Sequence, residues 1–231
     1  MFSIVMAALA VPLLELARLG VLQGTAEKAP DRHVLSLGWP ELERVLPDRG
    51  LPRGVIEIAS PVEKSVMRGG ATTIALSAVR AVHAADPKAW CAWVSEKNAP
   101  SLYAPAVAAA GVDLDRLLVV RPEAAALART VVKVGASGAF DLVVIDALSG
   151  LDGKIGKAKT DGAIVIRKLA LAAEEKGTTF LVLSNVFASR AAPWPVALRI
   201  EVERRPEAIA LRVTKDRRGR ASSQHVVRLA C

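Results

Sequence analysis

The sequence predicts an α/β protein: a mostly parallel, twisted sheet flanked by helices, closed at its C-terminal end by an antiparallel meander. Three observations carry this. Short apolar runs, Val55–Ala59, Ala89–Ser95, Leu142–Asp146 and Phe180–Ser184, are separated by segments of helical length and composition. Such runs are what strands buried on both faces look like, and helices between them imply right-handed crossovers. The last stretch differs: 197–204, 208–215 and 224–229 alternate apolar and polar residues, as strands with one wet face do. The chain has 231 residues, of which 52% are hydrophobic, so it is long enough to bury a core and too apolar for global disorder.

The first residues form a separate element. Met1 to Leu14 is uncharged and apolar, resembling the core of a signal peptide. No Lys or Arg precedes it, and Glu15 and Arg18 follow at once, so the pattern fits a helix better than a leader. It is too short to span a bilayer. A helix over 2–22, bent at Pro12, would carry Val5, Leu9, Leu13, Leu16 and Leu19 as an apolar stripe, for contact with its own core, another subunit or a partner. The expected organisation is therefore a helix over 1–24, a polar linker over 25–32 and a core domain over 33–231.

Within the core, a short helix is expected from Pro40, with proline in its first turn. Residues 48–54 (DRGLPRG) read as a turn. Helices are expected over 71–85, around 102–110, over 123–136 and over 163–176, and a further strand over 117–121.

Cys91 and Cys231 fit no metal spacing and point to a reducing, cytoplasmic setting. His33, His83 and His225 are scattered, with no ligands at suitable spacing. No G-x-G-x-x-G occurs, and Gly135-Ala136-Ser137-Gly138 is not a nucleophile elbow. A net charge of +8 and pI of about 9.9 favour polyanionic partners, nucleic acid before membrane surface.

Ligands of open parallel sheets bind beyond the carboxyl ends of the strands. After Val55–Ala59 the chain ends its loop with Gly70-Ala71-Thr72-Thr73. A phosphate-binding loop reads G-x-x-x-x-G-K-[ST], with backbone N–H groups cradling phosphates and the lysine neutralising them. Here Ala71 stands at the lysine position and Ser60 at the first glycine, and the loop is several residues too long. Asp146 ends an apolar strand, where such enzymes hold magnesium, or where an ordinary aspartate caps a turn. Glu96 follows another strand and fits a residue orienting water, or a solvated loop glutamate. Asn185 fits a phosphate sensor, or a turn cap. Lys215, Arg217, Arg218 and Arg220 crowd a turn around Gly219, and Arg190 sits in the loop before Pro193-Trp194-Pro195. That cluster is a candidate for weak, non-specific contact with single-stranded DNA, or for an acidic partner.

Together these features resemble the RecA recombinase core. Gly50-Leu51-Pro52-Arg53-Gly54-Val55-Ile56-Glu57-Ile58 is similar to G-L-P-x-G-R-I-V-E-I, and Gly111-Val112-Asp113-Leu114-Asp115-Arg116-Leu117-Leu118 to L-G-V-D-x-D-N-L-L. Asp141 to Leu148 resembles a Walker B strand, and Val213 to Arg217 the V-K-N-K segment. The departures are the missing Walker A lysine and shorter stretches where a recombinase grips DNA. That combination resembles the ImuA family of the inducible mutagenesis cassette, with SulA as a related family. The resemblance implies a RecA-like core without ATPase activity and with no cofactor. Its degenerate nucleotide site would comprise Ser60, Gly70, Ala71, Thr72, Thr73, Glu96, Asp146 and Asn185. The implied role is accessory: binding ImuB, an inactive Y-family polymerase homologue, and RecA or DNA, in translesion synthesis during the SOS response. The alternatives are a division inhibitor binding FtsZ and a DNA-dependent ATPase.

Overall fold

The computed structural model describes residues 34–61, 69–147, 151, 153–155, 158–187 and 194–229. The expected N-terminal helix with Val5, Leu9, Leu13, Leu16 and Leu19, the linker, and Arg190 lie outside the described residues.

In chain order the elements are β1 (Val34–Leu35), α1 (Pro40–Val45), β2 (Leu51–Pro52), β3 (Val55–Ser60), α2 (Gly69–Ala85), β4 (Cys91–Ser95), α3 (Ala104–Ala109), β5 (Leu117–Val120), α4 (Leu127–Ala136), β6 (Leu142–Asp146), β7 (Gly153–Ile155), β8 (Ala158–Thr160), α5 (Gly162–Lys176), β9 (Thr179–Asn185), β10 (Leu198–Arg205), β11 (Ala208–Asp216) and β12 (His225–Arg228). The main sheet runs β12-β11-β10-β3-β9-β6-β4-β5. From β10 to β5 every pairing is parallel, while β10-β11 and β11-β12 are antiparallel. The expected α/β class and C-terminal meander are therefore both present.

Alternation along each strand splits the core into two apolar layers. One face packs Ile56, Ile58, Trp93, Val144, Leu181 and Ile200 against α1, α2 and α3. The other packs Val55, Val94, Val143, Ile145 and Val182 against α4 and α5. Val131 of α4 and Leu169 of α5 are fully buried there, against Phe180. Gly135 lets α4 approach, because a Cβ on it would lie 2.9 Å from the Phe180 ring and 3.2 Å from Leu169.

Local chemistry sets the helix ends. Asp161 caps α5 by accepting from the Ala163 N–H at 2.9 Å, and Gly177 ends it in the left-handed region, with φ of 74°. The Gly177 carbonyl then accepts from the Arg53 guanidinium at 2.7 Å, tying the start of β3 to the end of α5.

Several details differ from expectation. Residues 48–54 are not only a turn, since Leu51–Pro52 pairs antiparallel with Val34–Leu35. Gly50 allows it: a Cβ there would collide with the Val34 side chain and the Leu35 carbonyl. A small hairpin, β7-β8, stands between β6 and α5. The helix expected over 123–136 opens with a 3-10 turn over Ala124–Ala126. β10 pairs with β3 in parallel, so the meander continues the main sheet.

Candidate functional site

Four polar residues end four adjacent strands on the face covered by α2. Alternation places them there: Ser60 follows Ile56 and Ile58, Asn185 follows Leu181 and Leu183, Asp146 follows Leu142 and Val144, and Ser95 follows Cys91 and Trp93. Register brings them together in pairs, with Ser60 opposite Asn185 and Ser95 opposite Asp146. Ser95 is buried at the position beside the aspartate. Sequence reasoning had weighted its neighbour Glu96, which is half-buried past the strand end and whose carbonyl accepts from the Ala99 N–H at 3.1 Å.

The corner is only partly shaped for chemistry. Ser60 is 5% exposed, and its hydroxyl finds no hydrogen-bond partner among the described residues. The Asn185 side-chain oxygen accepts from the Phe187 N–H at 3.0 Å, so this amide caps the turn. Asp146 is half-buried at the tip of β6.

The first turn of α2 lies beside β10. Gly70 is buried, and a Cβ on it would lie 3.7 Å from Val202 and 3.6 Å from the Arg204 backbone nitrogen. Ala71 is 2% exposed and belongs to the same apolar cluster as Ile74, Ala75 and Ala78. The Ala71 methyl group therefore completes an apolar core at the start of α2. Thr72 and Thr73 are half-buried beside it.

On the opposite face lies a charged strip that the sequence analysis did not single out. Glu57, in the middle of the sheet, is 1% exposed. It accepts from the Ser184 hydroxyl at 2.5 Å and from Arg199 at 3.4 Å. Arg199 meets Glu201 at 3.5 Å, and Glu201 meets Arg212 at 2.8 Å. The strip crosses β9, β3, β10 and β11, so a buried carboxylate gains a path of opposite charges to the surface. Its signal in the sequence is the glutamate inside the apolar strand V-I-E-I-A.

The cationic turn is tied to neighbouring protein groups. Asp216 organises it, its carboxylate accepting from the Arg220 N–H at 3.2 Å and from Arg220 Nε at 2.7 Å. Arg220 also grips Asp48 through two further bonds, and Arg218 reaches the same Asp48 at 3.1 Å. Lys215 donates to the Trp194 carbonyl at 2.7 Å. Arg220 and Lys215 are thus engaged by protein groups, and Arg217 and Arg218 are exposed. The hydrogen bonds from Arg220 hold the carboxyl groups of Asp48 and Asp216 below their usual range and raise the guanidinium's own value. Among the described residues no cluster of His, Cys, Asp and Glu is disposed to hold a metal ion, and no helix is long and apolar enough to cross a membrane.

The sequence model described as the RecA N-terminal domain matches residues 14–185. Protein RecA of Kineococcus radiotolerans is 32% identical over 176 residues, covering 69% of this chain and 47% of that protein. Protein RecA of Lactococcus lactis is 38% identical over 134 residues, covering 57% of the chain and 31% of its own length. Protein RecA of Deinococcus radiodurans is 35% identical over 129 residues, covering 54% and 33%. The chain thus spans less than half the length of these curated relatives.

Proposed function

The chain belongs to the RecA N-terminal domain family, and from that premise we propose that it is a non-catalytic member acting beside a DNA polymerase in the DNA damage response. The reading is that of an ImuA-like accessory protein of translesion synthesis, binding an ImuB-like inactive Y-family polymerase homologue, with RecA as a second partner. The observation that carries it is Ala71. A phosphoryl-transfer site works by positioning and by neutralising charge, so a methyl group at the lysine position removes the cation on which the chemistry depends. Burial of that methyl in the α2 core supports a site given over to packing.

Two experiments test this. Calorimetry and turnover assays with ATP and magnesium, with and without single-stranded DNA, are expected to show no hydrolysis. Co-purification of the full chain with the ImuB-like protein and with RecA is expected to retain the former. ATP turnover abolished by Asp146→Asn would overturn the non-catalytic reading. Failure to retain the polymerase homologue would overturn the accessory role.

A further inference from the structure

We propose that two copies of this chain pair through α5, antiparallel, about a twofold axis at Leu171. This does not rest on the polymerase partnership above. The face of α5 that packs on the sheet carries Val165, Ile166, Leu169, Ala172 and Ala173, all buried. At about 100° per residue, Ile164 and Leu171 point the opposite way, within about 20° of each other. They are 46% and 59% exposed, and among the described residues no other large hydrophobic side chain on an α-helix is exposed. Two such residues one heptad apart form a seam that another helix can cover.

The charges beside the seam identify its occupant as a second copy. Arg167 and Lys168 stand one turn before Leu171, one on each flank, and Glu174 and Glu175 stand one turn after it in the same way, all four exposed. Arg167 shares a flank with Glu174, and Lys168 with Glu175, because seven residues nearly complete two turns. The exposed face is thus antisymmetric about Leu171, cationic before it and anionic after it. A second copy running the other way sets Arg167 of each against Glu174 of the other, and Lys168 against Glu175, with Leu171 packed on its counterpart. A parallel copy in register would set cation against cation, and facing like charges are costly.

Two features separate these charges from the ordinary solvated face of a helix. No residue three or four positions from any of them carries the opposite charge, so none has the intrahelical neighbour that steadies an isolated helix. Glu174 and Glu175 also lie near the C-terminal end of α5, where the helix dipole disfavours anions. The antiparallel arrangement brings the cations of the second copy to that end. Exposed ion pairs add little affinity each, so Leu171 holds the pair together and the charges fix its direction. One pair of helices buries less than the roughly 1,200–2,000 Å² of a stable interface, so the dimer is reversible and loosens as salt rises. Because α5 lies across the sheet from α2, the corner at Ser60 and Asp146 stays clear of the interface in both copies.

The test is sedimentation velocity of the full chain across a concentration series at low salt. The parent is expected to pass reversibly from monomer to dimer. Leu171→Asp is expected to weaken that step about tenfold or more, as are Arg167→Glu/Lys168→Glu and Glu174→Lys/Glu175→Lys, each of which sets like charges face to face. Mixed in equal amounts, the two charge variants are expected to associate with each other about as tightly as the parent does with itself. That reciprocal rescue is a result a folding defect cannot produce. The substituted side chains lie at the surface, so melting temperatures of the monomers should be nearly unchanged. The proposal fails if the parent stays monomeric throughout, if Leu171→Asp or either charge variant associates like the parent, or if mixing the charge variants does not restore association.

Discussion

Arg220 holds the Asp48 carboxylate by two parallel hydrogen bonds of 2.8 and 2.9 Å, joining a turn near the start of the core to one near its end. Because these bonds favour the ionised form of Asp48, and because Asp216 is held in the same way, both carboxyl groups have values below the ordinary 3.8. Groups depressed in the folded state stabilise it fully above their unfolded value, and that contribution is lost as pH falls through the folded one. The expected outcome is an acid-induced fall in melting temperature, beginning near the unfolded value of 3.8, that is shallower in Arg220→Gln. Parallel pH titrations of thermal stability for the two proteins check it; equal slopes would show that the clamp contributes nothing.

A lysine placed at residue 71 should not create a nucleotide site. Ala71 is 2% exposed in a filled cluster, so Ala71→Lys must push a long side chain past Ile74 and Ala75. Overpacking of this kind costs about 1–3 kcal/mol. Denaturant midpoints should fall accordingly, and ATP should not raise the melting temperature of the variant. A nucleotide-dependent rise would mean that the corner around Ser60 and Asp146 still takes phosphates.

Gly135→Ala sets two effects against each other. Alanine in a helix gains at most about 1 kcal/mol over glycine. The new methyl would sit 2.9 Å from the ring of Phe180, which is fully buried and cannot retreat. Overpacking at about 1–3 kcal/mol outweighs the propensity, so a net loss of about 1 kcal/mol is expected in equilibrium unfolding. A gain in stability would show that α4 can shift on the sheet.

His83, near the end of α2, is 6% exposed, and neither ring nitrogen has a hydrogen-bond partner among the described residues. Burial lowers its value below 6.5, and the Arg116 guanidinium adds to the effect. A depressed histidine stabilises the fold above its unfolded value and withdraws that support as pH falls. Stability should therefore decline as pH falls below the ordinary histidine value of 6.5, and His83→Phe should flatten the decline. Melting curves across that interval distinguish the two proteins, and a variant as acid-sensitive as the parent would remove His83 from the account.

Most of the fold was legible because local signals and tertiary needs agree. The strands at 142–146 and 179–185 are apolar on both faces, and Asp161 and Gly177 mark the ends of α5 chemically. The pairing of Leu51–Pro52 with Val34–Leu35 depends on the space left by Gly50, a contact that no local pattern encodes. The hairpin β7-β8 has neither alternation nor β-branched richness to announce it. At the strand ends, Asp146 and Ser60 could be placed from their motifs. Ser95 could not, because its importance comes from lying opposite Asp146 in the register. The cationic turn was visible as a run of charge. That Arg220 is its strut could not be read, because Asp48 lies 172 residues away.

The parallel union of β10 with β3 has a consequence for how the chain is made. β3 leaves the ribosome early, yet its two neighbours, β9 at 179–185 and β10 at 198–205, are translated long afterwards. Until then a strand of six buried residues, Val55–Ser60, has both edges open. Pairings so distant in sequence form slowly and leave apolar edges available to other chains. Nascent chains stalled before residue 198 should therefore engage chaperones and resist neither proteolysis nor aggregation, whereas chains released beyond residue 216 should close the sheet in one cooperative step.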